Sequence, residues 1–267
     1  MEFGIKDKVA LITGGDSGIG HATAKLLAAE GVKIVLLDKT SEKLEKAVEE
    51  IKKIGEAIAV QADLRNLEEV KAAKQQILDQ FGGLHILVNC AGITGAQGEF
   101  LELTDDDWYE AIEVGLMAAV RGCRAFIPMM QEAGWGRIVL IGSEDAVQPY
   151  TDEMPYCAAK AGIINLAKNL SKAYAKDGIL VNSVSPAFIA TPMTDAMMQK
   201  RSEKLGVGFE EAIETFLEEK RPHLVLQRRG KAQEVAAVIA FLCSEHSSFV
   251  VGSNYRVDGG SVATVHA

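Results

Sequence analysis

The sequence has no apolar run long enough to cross a membrane, since none approaches the roughly 18 consecutive apolar residues that a span requires. The apolar stretch nearest the N-terminus, residues 9–12, is also too short for the core of a signal peptide. The four cysteines form no CxxC pair, and the five histidines show no HxxxH spacing. We therefore predict a cytoplasmic protein with reduced thiols, no membrane contact and no metal site.

Positive charge is also scarce, because 28 lysines and arginines stand against 37 aspartates and glutamates, a formal net charge of -9. Binding to nucleic acid relies on basic side chains that neutralise phosphates, so we expect no nucleic-acid partner. The 267 residues are 48% hydrophobic, which is enough for a large core, and α/β folds often reach this length as one domain. No repeat, low-complexity tract or linker divides the chain, and we predict a single domain over residues 1–267.

Short apolar runs alternate with helix-like segments almost from end to end. Strands that are apolar on both faces and separated by helices imply a buried parallel sheet. About seven such strands indicate a doubly wound, Rossmann-like α/β fold with helices on both faces, in three α/β/α layers. The predicted strands span residues 8–13, 33–37, 57–62, 85–89, 137–142, 180–185 and 254–257, and the predicted helices span 18–29, 41–53, 67–80, 105–130, 155–176 and 231–244.

One segment breaks this alternation. Residues 191–227, between the sixth and seventh predicted strands, form a long connection with helical patterns of its own. Because ligands bind beyond the carboxyl ends of the strands in such folds, we predict that this segment is a lid over the substrate. The alternative is a pair of helices that only packs on the body of the domain.

A glycine-rich turn with the sequence TGGDSGIG follows the first predicted strand and opens the first helix. Gly14 permits a tight turn, Gly18 lets a pyrophosphate approach the backbone, and Gly20 lets the helix pack closely on the sheet. The free N–H groups of the first helical turn then face the phosphates of a dinucleotide. The residues predicted to bind this dinucleotide are Gly14, Asp16, Ser17, Gly18, Ile19 and Gly20.

Asp38, at the end of the second predicted strand, indicates which dinucleotide binds. An acid at this place accepts hydrogen bonds from the adenosine ribose hydroxyls and repels a 2′-phosphate. Asp16 adds a second negative charge nearby, whereas Lys39 acts in the opposite direction. We predict NAD as the cofactor, with NADP disfavoured.

Tyr156 and Lys160 are four residues apart on a predicted helix and therefore share one face. A free tyrosine has a pKa near 10, and a neighbouring lysine cation lowers that pKa, so the pair can serve as an acid and base. Ser143 directly follows the fifth predicted strand, where its hydroxyl can bind a substrate carbonyl or the alkoxide formed from it. We predict that these three residues are catalytic.

The GxxxGxG loop and the order Ser143, Tyr156, Lys160 resemble the TGxxxGxG and YxxxK motifs of the short-chain dehydrogenase/reductase family. The resemblance covers nearly the whole chain, since residues 89–92, 182–191 and 257–260 are similar to further family motifs. It implies reversible hydride transfer between NAD(H) and a secondary alcohol or ketone. It also implies a homotetramer with helices 105–130 and 155–176 at the main interface. The further cofactor-binding residues that it implies are Lys39, Asp63, Leu64, Asn89, Ala91, Gly92, Tyr156, Lys160, Pro186, Ala187, Ile189 and Thr191.

Two residues depart from the family pattern. Gly115 stands where the family carries an asparagine that holds a water in a proton relay from the lysine, and Ala187 replaces the glycine after Pro186. The first departure leaves an alternative open, a catalytically weak protein that senses nucleotides or acts as a scaffold. Acidic residues directly after Ser143 could meet a polyhydroxylated or cationic substrate, or form an exposed turn. The predicted substrate-binding residues are Ser143, Asp145, Gln148, Tyr150, Tyr156, Phe188 and Met193.

Overall fold

A computed structural model describes residues 2–265 of the chain and confirms the predicted fold. Its main sheet has seven parallel strands in the order β3-β2-β1-β4-β5-β6-β9, and a separate ribbon pairs β7 with β8. The strands are β1 (Val9–Thr13), β2 (Lys33–Asp38), β3 (Ala57–Gln61), β4 (Ile86–Asn89), β5 (Gly136–Ile141), β6 (Ile179–Pro186), β7 (Ile189–Ala190), β8 (Gly230–Lys231) and β9 (Asn254–Val257).

Helices cover both faces of this sheet. On strand β1, Ala10 and Ile12 pack into one hydrophobic layer, and Val9 and Leu11 pack into the other. A strand buried on both faces has no polar side, which explains why the sequence shows continuous apolar runs. The α-helices are α1 (Gly18–Ala29), α2 (Ser41–Lys52), α3 (Leu67–Phe81), α4 (Asp105–Ile112), α5 (Ala118–Ala133), α6 (Met154–Tyr174), α7 (Pro192–Leu205), α8 (Phe209–Lys220) and α9 (Ala232–Cys243).

The predicted single helix over residues 105–130 differs from the structure. A π-helical turn, Glu113–Met117, separates α4 from α5. Gly115 lies in this turn and packs against Ala159 of helix α6. An apolar periodicity of 3.6 residues does not reveal a widened turn, because it inserts a single extra residue into an otherwise regular pattern. None of the helices within residues 2–265 is long and apolar enough to span a membrane.

The strand order reverses between β1 and β4, which are paired in the centre of the sheet. The chain moves from β1 outward to β3 and then returns to place β4 on the other side of β1. Loops that leave these two strands therefore diverge and open a crevice at their carboxyl ends, the usual place for a ligand in this architecture.

The segment between β6 and β9 contains helices α7 and α8 and a small hydrophobic core of its own. Phe188 and Phe216 contact each other in this core as tilted rings, with centroids 4.8 Å apart. The ribbon of β7 and β8 closes the base of the segment. Sequence patterns predicted the extra helices but not the ribbon, which is only two residues long on each side.

Candidate active site

A cavity of about 350 Å³ lies at the carboxyl ends of the central strands. It is lined by residues that follow β1, β2, β3, β4, β5 and β6, so the fold alone brings these distant segments together. The predicted site residues that line it are Gly14, Asp16, Ser17, Gly18, Ile19, Gly20, Asp38, Lys39, Asp63, Leu64, Ala91, Gly92, Ser143, Tyr156, Lys160, Pro186, Ala187, Ile189, Thr191 and Met193.

The glycine-rich loop has the geometry of an anion-binding turn. Gly14 has a φ of +63°, and a Cβ atom there would lie 2.9 Å from the backbone nitrogen of Ala91. A Cβ atom on Gly20 would overlap the carbonyl group of Gly14, so a side chain at position 20 would push helix α1 away from the loop. The side chain of Ser17 does not cap α1, which leaves the first N–H groups available. These observations fit the pyrophosphate of a dinucleotide.

At the end of β2, the half-buried Asp38 lines the cavity beside two cations. Burial and the neighbouring negative charge of Asp16 raise the pKa of Asp38, while its Oδ1 accepts a hydrogen bond of 3.2 Å from the backbone of Thr40. Lys39 and Arg65 also line the cavity. Arg65 donates to the Asp63 carboxylate at 2.6 Å, and this hydrogen bond holds the pKa of Asp63 below its usual value.

Ser143, Tyr156 and Lys160 meet at the other part of the same cavity. Helix α6 carries Tyr156 and Lys160 one turn apart, and the Nζ atom of Lys160 lies 5.6 Å from the centroid of the tyrosine ring. The same Nζ donates a hydrogen bond of 2.8 Å to the carbonyl oxygen of Ile141 at the end of β5. Burial lowers the pKa of Lys160 to about 8.

The pKa of Tyr156 moves in the direction opposite to the sequence-based expectation. Burial raises it, and the negative charge of Asp145 raises it further. A hydrogen bond with Ser143 acts the other way but is too weak to reverse the shift. In the protein without cofactor the phenol is therefore protonated at neutral pH, as a proton donor must be.

Behind Ser143 lies a buried group of ionisable side chains that do not line the cavity. Glu144 and Asp145 form a short helical turn capped by Ser143, whose Oγ accepts from the backbone of Asp145 at 3.3 Å. Arg221, directly after α8, lies 3.2 Å from Glu153 and 3.6 Å from Glu144. Sequence patterns indicated an exposed turn or a substrate contact for these acids, and the structure instead buries them against an arginine.

Five predicted site residues lie outside the cavity lining. Asn89 is buried and accepts a hydrogen bond from Thr13, and Phe188 is only 5% exposed in the small core described above. Asp145 belongs to the buried group of ionisable side chains. Tyr150 lies under Arg221, with 3.7 Å between its ring centroid and the guanidinium carbon, and Gln148 accepts from the backbone of Ala263.

Several lining residues had not been predicted. Pro192 and Thr194 begin helix α7, and Glu110 and Val114 reach the cavity from α4 and the π-helical turn. Arg65 is the one of these that the sequence could have indicated, since it follows the predicted cofactor-binding residue Asp63 by two residues. The remaining unpredicted lining residues are Leu37, Ala62, Cys90, Ile93, Ala118, Ile141 and Gly142. Among the residues that the structure describes, no cluster of three or more histidine, cysteine or acidic side chains could hold a metal ion.

Residues 14–262 match a family model described as enoyl-(acyl carrier protein) reductase. The chain is 39% identical to cyclohexanol dehydrogenase from Acinetobacter sp. (strain SE19) over 260 residues, which cover 97% of this chain and 96% of that protein. It is 34% identical to levodione reductase from Leifsonia aquatica over 260 residues, which cover 96% and 95%.

L-Sorbose reductase from Gluconobacter frateurii, solved in complex with NADPH and L-sorbose, superimposes with a TM-score of 0.94 at 35% sequence identity. The superposition covers 99% of this chain and 100% of that one.

Proposed function

Because the chain belongs to the short-chain dehydrogenase/reductase family of oxidoreductases, we propose that it transfers a hydride reversibly between NAD(H) and a small secondary alcohol or ketone. The observation that carries this proposal is the shared cavity. Ser143, Tyr156 and Lys160 line the same space as the uncapped start of helix α1. The nicotinamide cofactor supplies or accepts the hydride when it is bound.

Each of the three residues has a separate role in the proposal. Tyr156 gives its phenolic proton to the carbonyl oxygen during ketone reduction and takes it back during alcohol oxidation. Ser143 holds the substrate oxygen and stabilises the negative charge that develops on it. Lys160 orients the nicotinamide ribose, and its ammonium group favours the phenolate that forms during turnover.

The proposed preference for NAD rests on Asp38 and Asp16. A 2′-phosphate would approach both carboxylates, whereas the free hydroxyls of NAD would donate hydrogen bonds to Asp38. The opposing observation is that Lys39 and Arg65 line the same part of the cavity, but Arg65 is already paired with Asp63. L-Sorbose reductase was solved with NADPH, so the cofactor of that relative does not support NAD here.

The lid is proposed to be residues 191–227, together with the ribbon that closes its base. Three observations support it. Thr191 through Thr194 line the cavity, the segment has its own core, and Arg229 binds Asp195 at 2.6 Å. This ion pair ties the start of α7 to the residue before β8, and Arg221, after α8, ties the other end of the segment to Glu153.

Assembly and location are further parts of the proposal. We propose a homotetramer through α4, α5 and α6, an expectation from the family that light scattering can test. All four cysteines, Cys90, Cys123, Cys157 and Cys243, are unpaired, and free thiols support a reducing compartment such as the cytoplasm.

A substrate panel tests the proposed function. The purified chain is assayed with NADH and NADPH against cyclohexanone, levodione and L-sorbose, the ketones that correspond to the names of its relatives, and with NAD⁺ and NADP⁺ against alcohols. We expect turnover of at least one ketone, faster with NADH than with NADPH. Tight NADH binding without turnover of any ketone would instead support the sensor alternative.

A further inference from the structure

One arginine contacts both ends of the loop that separates Ser143 from Tyr156. The loop begins at Glu144, directly after Ser143, and ends at Glu153, which immediately precedes helix α6 and lies three residues before Tyr156. The guanidinium group of Arg221 lies 3.2 Å from the Glu153 carboxylate and 3.6 Å from the Glu144 carboxylate. A single side chain therefore bridges the two points at which the loop joins the residues of the candidate active site.

The middle of the loop packs on the same guanidinium group. The ring centroid of Tyr150 lies 3.7 Å from the guanidinium carbon, and that of Phe216, in α8, lies 5.2 Å from it. The backbone N–H of Glu153 donates to the carbonyl oxygen of Tyr150 at 3.1 Å, and the N–H of Cys157 donates to the carbonyl oxygen of Glu153 at 3.0 Å. A displacement of Glu153 therefore moves the first turn of α6, the turn that contains Tyr156.

Both partners of the Arg221–Glu153 contact are held in place by further hydrogen bonds. Glu153 accepts at its Oε1 from the side chain of Gln97 at 3.0 Å. The backbone N–H of Arg221 donates to the carbonyl oxygen of Leu217 at 3.1 Å, and its Nη1 donates to the carbonyl oxygen of Lys220 at 3.0 Å. Because neither side chain is free to move, the contact can fix the position of the loop.

The chemistry of arginine suits this position. Glu144 and Glu153 are only 1% and 8% exposed. Burial raises the pKa of both carboxyl groups, and the positive charge of Arg221 opposes that shift. A buried carboxylate needs a compensating charge or donors. The planar guanidinium group carries five donors in a rigid fork and also stacks on aromatic rings, whereas a lysine ammonium is a compact point charge.

We propose that Arg221 is a positioning residue that holds the two ends of the 144–153 loop at a fixed separation and thereby sets the placement of Ser143 and Tyr156 at the substrate. The proposal rests on the proposed function, because it concerns the same reaction. Arg221 does not line the cavity, so it acts through Glu144 and Glu153. Its loss should therefore affect the chemical step more than the binding of substrate or cofactor.

Kinetics of two matched arginine variants test the positioning role. Arg221→Lys keeps the charge but loses the planar fork. The control, Arg137→Lys, changes another buried arginine that lies 4.2 Å from the ring centroid of Trp135 and 3.5 Å from Glu245. Arg137 is at the start of β5, at the opposite end of the sheet from the cavity.

We expect Arg221→Lys to lower kcat for ketone reduction roughly tenfold with an unchanged ketone KM and NADH Kd, because a small displacement of reacting groups slows the chemical step. Arg137→Lys should leave kcat unchanged even where it lowers the midpoint of urea unfolding. Equal losses of kcat in the two variants would overturn the proposal, as would a rise in KM with an unaltered kcat.

A change on the other side of the contact provides a second, independent variant. Glu153→Gln keeps the shape of the side chain and removes its charge, and we expect it to lower kcat to a similar extent. Because the two residues act through one contact, the double variant Arg221→Lys/Glu153→Gln should lose little more than either single variant. Fully additive losses would overturn the proposal.

Hydrogen exchange, followed by NMR, tests the loop without any turnover. The amides of Gln148, Glu153 and Cys157 donate the backbone hydrogen bonds of the loop and of the start of α6. We expect them to exchange severalfold faster in Arg221→Lys than in wild type, with no change in Arg137→Lys. Unchanged exchange in Arg221→Lys overturns the proposal, whatever the activity. Faster exchange in Arg221→Lys, together with a wild type that reduces no ketone with either cofactor, refutes the proposed function alone, so the two failures are distinguishable.

Discussion

Gly115 and Ala159 bring the π-helical turn and helix α6 into direct contact. The Cβ position of Gly115 lies 2.9 Å from the Cβ atom of Ala159, closer than two carbon atoms can approach without displacement. Ala159 precedes Lys160 and shares its helix with Tyr156. The position of both site residues therefore depends on the missing side chain at position 115.

A larger residue at position 115 should destabilise the protein. Gly115→Asn forces α6 away from the turn, and overpacking of this kind costs about 1–3 kcal/mol. We expect the midpoint of urea unfolding to fall, and kcat to fall with it because Tyr156 moves. The double variant Gly115→Asn/Ala159→Gly relieves the overlap and should recover most of the loss. Equal stability of Gly115→Asn and wild type would show that the two helices are not in tight contact.

Removal of the buried ammonium group should stabilise the fold while abolishing activity. Burial lowers the folded-state pKa of Lys160 to about 8, so the charged form is disfavoured in the folded protein. Below pH 8 the wild type carries this penalty in full, and between about pH 8 and 10.5 it gains stability as the folded lysine is neutral while the unfolded lysine still binds a proton. Relative to wild type, Lys160→Met should unfold at a higher temperature at pH 7. The difference should vanish as the pH approaches 10.5, the unperturbed lysine value. A constant difference at all pH values would contradict the assigned pKa shift.

The cofactor preference should depend on the carboxylate at the end of β2. Asp38→Ser removes a charge that repels a 2′-phosphate, and juxtaposed like charges cost several kcal/mol, so the kcat/KM ratio of NADPH to NADH should rise roughly 100-fold. Asp79→Asn, an exposed change on helix α3, serves as the control. Wild type that already prefers NADPH would contradict the roles given to Asp38 and Asp16.

The sequence predicted the layered α/β architecture well because the patterns that identify strands and helices are both local in the chain. Buried parallel strands are continuous apolar runs, and helices show their own period, so all seven strands of the main sheet were found with an error of at most one residue at each end. Strand β9 at residues 254–257 was predicted with the bounds that the structure has. The family resemblance was confirmed for the same reason, since its motifs are short and local in the chain.

What the sequence could not predict depends on contacts between distant segments. Arg221 lies 68 positions from Glu153 in the chain, and no local pattern shows that the residue after α8 supplies the cation for the acids behind Ser143. Phe188 is buried in the small core, away from the cavity, and this burial also depends on contacts with distant residues such as Phe216. The pKa of Tyr156 was expected to fall because the lysine was considered alone, whereas burial and Asp145 decide its direction.

The central claim is that Tyr156 is the proton donor of a nicotinamide-dependent oxidoreductase, and Tyr156→Phe tests it most directly. The control is Tyr174→Phe, a tyrosine at the other end of helix α6. Steady-state ketone reduction is measured alongside NADH binding by fluorescence. We predict that Tyr156→Phe lowers kcat by roughly 100-fold or more while NADH binds with its wild-type Kd, and that Tyr174→Phe changes neither. Tyr156→Phe that reduced the ketone at the wild-type rate would contradict the claim.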